Sequence, residues 1–179
     1  MSEKEKNTAT TEAAPLSEKE IMANRLTESE LKSVPSSYRQ LLLFAGEMAD
    51  ATHDDIILLR GILTDAAKDG HFNRDKFGNS TLLRSMATAI ELCSRVSPDR
   101  NMVIAILLYP ICLTGYHTPE KVSAQWGEDI ARMVRGLLKV SSLYERGTAI
   151  ESENFRRLLM TFADDIRVII IMILNRLVL

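Results

Sequence analysis

With only two cysteines in 179 residues, Cys93 and Cys112, the chain has little scope for disulfide or thiolate chemistry. No Cys-x-x-Cys spacing occurs, so a cysteine metal centre is not expected. Both thiols fall in apolar helical patterns, which predicts buried free thiols in a reducing cytoplasm in preference to a disulfide. Aromatic residues make up 6% of the chain, and the Lys and Arg residues are spread out with few aromatics between them. Together with a net charge of −2 and a pI near 6.0, this argues against a nucleic-acid groove or an anionic-membrane surface. There is no His-Glu-x-x-His, no Gly-x-Ser-x-Gly and no P-loop. The start, Met1 to Lys6, is polar, so no signal peptide is expected. The most apolar run, Ile166 to Leu179, is short and broken by Arg167, Asn175 and Arg176, so no membrane span is expected. No Asn-Gly hairpin dipeptide occurs.

What the chain does have is helical periodicity and, at 46% apolar residues, enough material for one core. Residues 1–35 are rich in Glu, Lys, Ser, Thr and Ala and read as a mobile tail with loose helical turns near Ile21–Leu26. Order is expected after Pro35, with Ser36-Ser37 capping a helix that carries Leu41, Phe44 and Met48. Thr52 and Asp55 have capping-box spacing at a second start, and Gly70 is a stop. A polar loop over residues 71–79 leads to Ser80 and a third helix. Thr118-Pro119-Glu120 starts another, and Gly127 should divide the run that follows. A continuous apolar helical pattern runs from Phe155 through Ile169 towards the end of the chain. The fold class is all-α, a bundle of about seven to nine helices.

The centre of that bundle should be the stretch from Asn101 to Gly115, apolar at nearly every position from Met102 to Leu113. A helix apolar all round is a buried one. Ser97 is the expected N-cap, with Pro98 at the first helical position and Asp99 near the positive end of the dipole. Pro110 is the anomaly. It has no N–H for the carbonyl of Ile106, so a stop or kink is expected at Tyr109-Pro110.

The titratable residues give little chemistry. His53-Asp54 lies at a helix start, where polar residues cap; His71 and His117 fall in polar loops and read as solvated. The pair Asp164-Asp165 reads as the polar edge of a helix.

The last third carries a specific resemblance. Trp126-Gly-Glu-Asp-Ile-Ala-Arg-Met-Val-Arg-Gly136, Lys139-Val140, Glu153-Asn-Phe-Arg-Arg-Leu-Leu-Met160 and Asp165-Ile-Arg-Val-Ile169 resemble blocks of the N-terminal HD hydrolase domain of the RelA/SpoT family. Members of that family make and hydrolyse guanosine tetraphosphate and pentaphosphate. The likeness runs from about Ile56 to Leu179, and the order of the blocks carries it more than any one of them.

In active members a His…His-Asp…Asp set holds a metal, usually manganese, which activates water to remove the 3′ pyrophosphate. Laid on this sequence, the first His falls on Arg84 and the His-Asp pair on Tyr109-Pro110. The paired acids that follow fall on Leu113 and Thr114, the distal Asp on Asn175, and the nucleotide-holding His-Asn on Val178-Leu179. The resemblance therefore implies a degenerate HD domain over residues 36–179, cut short at its C-terminal end, with no metal and no cofactor. Its expected partner is a downstream synthetase domain of the same chain, so that the parent is a cytoplasmic GTP pyrophosphokinase; self-association is a further expectation. Two alternatives stay open: a stand-alone helical module for interaction or alarmone binding, and an active metal-dependent 3′-pyrophosphohydrolase with unusual ligands.

Overall fold

In a computed structural model of the chain, which describes residues 16–48, 50–97, 99–145 and 165–178, helices form around a central one. They are α1 (Glu18–Asn24), α2 (Glu28–Ala45), α3 (His53–Lys68), α4 (Thr81–Arg95), α5 (Arg100–Leu113), α6 (Pro119–Trp126), α7 (Glu128–Glu145) and α8 (Ile166–Leu177). No strand occurs among the described residues; one isolated bridge joins Arg74 and Ser80 across the α3–α4 connection.

The central element is α5. Ten of its residues are buried, including the run Met102–Leu108, and it packs against α3, α4, α7 and α8. Each Leu or Ile taken wholly out of water stabilises by about 1.5–3 kcal/mol, which explains why this helix lies inside the bundle. Its cap is Asp99, whose carboxylate accepts from the N–H groups of Asn101 and Met102 at 2.9 and 3.2 Å. Asp99 thus takes the role expected of Ser97, and Pro98 lies outside the described residues. Nor does the helix stop at Tyr109-Pro110; it continues to Leu113. Pro110 sits in the final turn, where little helix remains to be broken, and its ring is buried in the core.

Order also begins earlier than Pro35. Ser17 with Glu20 and Thr27 with Glu30 each form a capping box, and Pro35 lies inside α2. Two features hold that helix despite the missing N–H: the box at its start, and a bidentate pair from Arg74 to Glu30 at 2.7 and 2.8 Å. The backbone freed by Pro35 is on an exposed stretch, open to water, so no buried carbonyl is orphaned. Ser36 and Ser37 are therefore mid-helix and cap nothing.

The boundaries set by local chemistry come out as expected. The Thr52–Asp55 box starts α3, Thr118 caps α6 with Pro119 at its first turn, and Gly127 at φ 96° divides α6 from α7. Ser80 is the N-cap residue of α4, although its hydroxyl caps nothing and is buried without a partner. The pattern expected to run unbroken into the last helix is interrupted at Asp165, which is extended (φ −142°) and caps α8 through the N–H of Arg167. Asp165 is therefore a helix start, not a helix edge. Asp164 and the blocks over residues 146–164 lie outside the described residues.

Arg167 fixes the start of α8 against α7. Its guanidinium donates to both oxygens of Asp129 at 2.7 Å and to Asp165 at 2.7 and 2.9 Å, and Asn101 of α5 adds a bond to Asp129 at 2.9 Å. The Arg167 guanidinium outweighs burial and holds the Asp129 carboxyl far below its ordinary range. Beyond this cluster α7 and α8 approach closely at Gly136, where a Cβ would lie 2.9 Å from Cγ2 of Val168.

Candidate functional site

A cleft of about 830 Å³ opens beside α5, between α4, α7 and α8. Four of the positions singled out from the sequence meet in it: Arg84 of α4, Tyr109 and Pro110 of α5, and Asn175 of α8. Their convergence follows from helix geometry. Arg84 and Thr88 are one turn apart on the same face of α4. Tyr109 and Pro110 occupy the last turn of α5, and Asn175 the last turn of α8.

Arg84 occupies the middle of the polar wall. Its Nε donates to Oδ1 of Asn175 at 2.9 Å and its Nη2 to the Asn175 carbonyl at 2.9 Å. The remaining arm, Nη1, meets Oδ2 of Asp75 at 3.3 Å. Thr88 Oγ1 lies 3.3 Å from Asn175 Oδ1 and 2.9 Å from the Arg84 carbonyl. Asp75 is held by its own loop, accepting from the N–H groups of Phe77 and Asn79, each at 2.9 Å. Burial pushes the Asp75 carboxyl up, but those N–H groups and Arg84 outweigh it and leave it below its ordinary range. A planar guanidinium thus joins α4, α8 and the α3–α4 loop. On the opposite wall the Tyr109 hydroxyl is hydrogen-bonded to Ser141 Oγ of α7.

The other sequence candidates lie elsewhere. Leu113 ends α5, and Thr114 caps it, bonding the carbonyls of Ile111 and His71 at 3.1 and 3.2 Å. Val178 caps α8 through its N–H, and Leu179 lies outside the described residues. Leu113, Thr114 and Val178 do not line the cleft. His53 is the exposed first residue of α3. His71 and His117 are not solvated. His71 is half-buried, 4.4 Å from the Tyr116 ring, with Nδ1 unpartnered. His117 is buried, with Nε2 at 3.0 Å from Gln125 Oε1. Burial lowers the pKa of both, against the opposing effects of Asp69 on His71 and Gln125 on His117. Cys93 and Cys112 are free and buried, and burial raises their thiols to about 11 and about 12.

Sequence reasoning missed Asp75, Thr88 and Ser141. Asp75 had a local signal, since Asp-Lys-Phe-Gly is a turn in which the carboxylate accepts backbone N–H groups. Thr88 stands four residues from Arg84, and Ser141 gave no signal.

The side chains meeting here do not suit a divalent ion. A guanidinium has five donors and no lone pair to give, the Pro ring gives none, and an Asn amide is a weak ligand beside a carboxylate. Among the described residues no group of three or more His, Cys, Asp or Glu is placed to hold a metal ion.

The cleft is thus walled by the ends of the central and last helices of a helical bundle. The chain belongs to the HD domain family, whose model matches residues 64–178. The relatives are RelA/SpoT-type proteins. A guanosine-3′,5′-bis(diphosphate) 3′-pyrophosphohydrolase of Aquifex aeolicus is 28% identical over 112 residues, covering 62% of this chain and 16% of its own length. A probable enzyme of the same name from Synechocystis is 31% identical over 105 residues, covering 58% of this chain and 14% of its own. A GTP pyrophosphokinase of Haemophilus influenzae is 25% identical over 108 residues, covering 57% and 14%. The chain thus spans only about a sixth of the relatives it matches. No solved structure matches it significantly.

Proposed function

We propose that this is a catalytically silent HD-type domain with a structural or regulatory role in a RelA/SpoT-like guanosine tetra/pentaphosphate synthetase. The observation that carries the reading is Arg84, tied to Asn175 and Asp75 in the cleft, with Tyr109 and Pro110 alongside. The guanidinium there has no lone pair for a metal and already engages the Asp75 carboxylate, and neither the phenol nor the Pro ring supplies a further carboxylate to hold a second cation. In this reading Arg84, Tyr109, Pro110, Leu113, Thr114, Asn175, Val178 and Leu179 are vestiges of a lost site. The small share of its relatives that the chain covers supports a synthetase domain in the same parent, transferring pyrophosphate from ATP to the 3′-hydroxyl of GDP or GTP in the cytoplasm.

The test is direct. The purified domain, dialysed and then titrated with manganese, is expected to bind none stoichiometrically and to leave guanosine tetraphosphate intact. Near one manganese per chain, or turnover above about 1 per second, a rate ordinary for an enzyme, would overturn the proposal.

The open volume of the cleft and its cationic lining, Lys76, Arg84 and Arg176, favour a second reading, in which it still holds a guanine nucleotide without cleaving it. Equilibrium dialysis against labelled guanosine tetraphosphate separates the two readings.

A further inference from the structure

A second cavity, of about 760 Å³, lies between α2 and α3 and shares no lining residue with the HD cleft. It exists because neighbouring helices choose different partners: α2 packs chiefly on α4, and α3 reaches α5. The gap between them is floored by Leu63, Leu82 and Met86, all buried. Val34 and Tyr38 form one wall, and Leu31, 55% exposed, carries the apolar surface out to the mouth. The Tyr38 ring is held in place by its hydroxyl, which donates to the Ile56 carbonyl at 3.1 Å, and by Arg60, 6.0 Å from the ring centroid.

Four exposed cationic residues line this cavity, Arg25, Arg39, Arg60 and Lys68, drawn from α2, α3 and the segment before α2. None of the residues lining it is a carboxylate. Lys68 has an acid nearby, Asp65, but at 4.0 Å with both side chains mostly in water, where such a pair holds little. An apolar floor under a rim of one charge sign defines a ligand chemistry. Small-molecule sites are largely apolar, span roughly 300–1,000 Å³, and use a few polar groups to fix orientation.

We propose that this groove binds a single-chain amphiphile, its hydrocarbon body along Leu63, Leu82 and Met86 and its one anionic head group on the arginine rim. The volume lies within the range of small-ligand sites, and the charge on the rim selects a carboxylate over a neutral head.

The test uses the chain as described, with cis-parinaric acid as a fluorescent probe below its micelle concentration. Palmitate is expected to displace the probe, and palmityl alcohol, of equal length but uncharged, to do so about tenfold less well for loss of its charge-assisted bonds. Arg39→Glu with Arg60→Glu should weaken palmitate by a similar factor while the chain stays folded, since both side chains are exposed. Thr64→Trp, another exposed lining position, should fill the groove and abolish binding. Equal affinity for acid and alcohol, or palmitate binding unchanged by Thr64→Trp, would overturn the proposal. So would binding only to phosphatidylglycerol vesicles, or a dimer closed through this groove that palmitate does not compete with. Circular dichroism of each variant shows that it is folded, and if one is not, the acid–alcohol comparison on the parent chain decides.

Discussion

Replacing Arg84 with Met removes the guanidinium and keeps most of the aliphatic stem. Three bonds are lost: two at 2.9 Å to Asn175 and one at 3.3 Å to Asp75. Bonds to a charged group contribute about 1.5–3 kcal/mol each when buried. Arg84 is 23% exposed and Asp75 11%, so solvent screens part of that sum. Two of the acceptor groups keep other partners, since Thr88 still reaches Asn175 Oδ1 and the N–H groups of Phe77 and Asn79 still hold the other oxygen of Asp75, while the Asn175 carbonyl loses the Arg84 bond. The expected cost is therefore about 2–3 kcal/mol, well short of three full bonds. In a domain of this size, about 2–4 °C of melting temperature per kcal/mol gives a fall of roughly 4–12 °C. Arg84→Lys should fall between the two, keeping a charge for Asp75 but losing the fork that grips Asn175. Urea unfolding gives the free energy, and amide exchange over residues 166–178 should show α8 loosened most. If Arg84→Met is as stable as the parent, or if α8 exchanges no faster, the guanidinium does not hold the cleft wall.

Pro110→Ala should stabilise: an Ala restores the N–H for Ile106 and relieves part of the roughly 3 kcal/mol that Pro costs inside a helix. The lost ring atoms and the nearness of the helix end leave a net gain of about 1–2 kcal/mol, read by urea unfolding. Tyr109→His with Pro110→Asp is expected to bind no manganese and cleave no alarmone in calorimetric and hydrolysis assays, because Arg84 remains beside the restored pair. Gly136→Ala should destabilise by about 1 kcal/mol although Ala favours a helix, since its Cβ would meet Val168 at 2.9 Å; Val168→Ala in the same chain should reverse the sign. Asp55 and Glu30 are each lowered to about 2, chiefly by hydrogen bonds from Arg100 and Arg74. A depressed carboxylate contributes stability above its unfolded pKa, about 4. That stability should be lost as pH falls from about 4.5 to 2. Arg100→Met and Arg74→Met should each flatten the acid limb of a pH–melting curve.

What the sequence revealed of the fold is what neighbouring residues decide. The Thr52–Asp55 box, the Thr118-Pro119 start and the break at Gly127 each rest on a few consecutive residues, and each was found in place. The misreadings arose where contacts outside the local pattern decide. Pro35 looked like a boundary, but the bond from Arg74 to Glu30, 44 residues away, holds the helix that contains it. Asp165 looked like part of a continuous helical face, yet its pairing with Arg167 and the pull of Asp129 make it a helix start. His117 looked solvated because its neighbours are polar, whereas it is buried and meets Gln125 of α6. For the cleft, the family resemblance gave the positions on α4, α5 and α8. It did not give Asp75, Thr88 or Ser141, because side chains that complete a polar wall from other elements leave no spacing to read.

A cation carried on the chain differs from one in solution in how it is supplied. A bound ion stabilises only as far as its free concentration exceeds its dissociation constant, and a chelator withdraws that contribution. Arg84 is always charged and is delivered by the fold itself, linking residues 91 positions apart in the sequence. If the site is metal-free as proposed, the spacing of α4 and α8 should be independent of divalent ion levels, and EDTA should leave the melting temperature where it was. On the proposed reading, manganese is not expected to act through the wall that Arg84 holds.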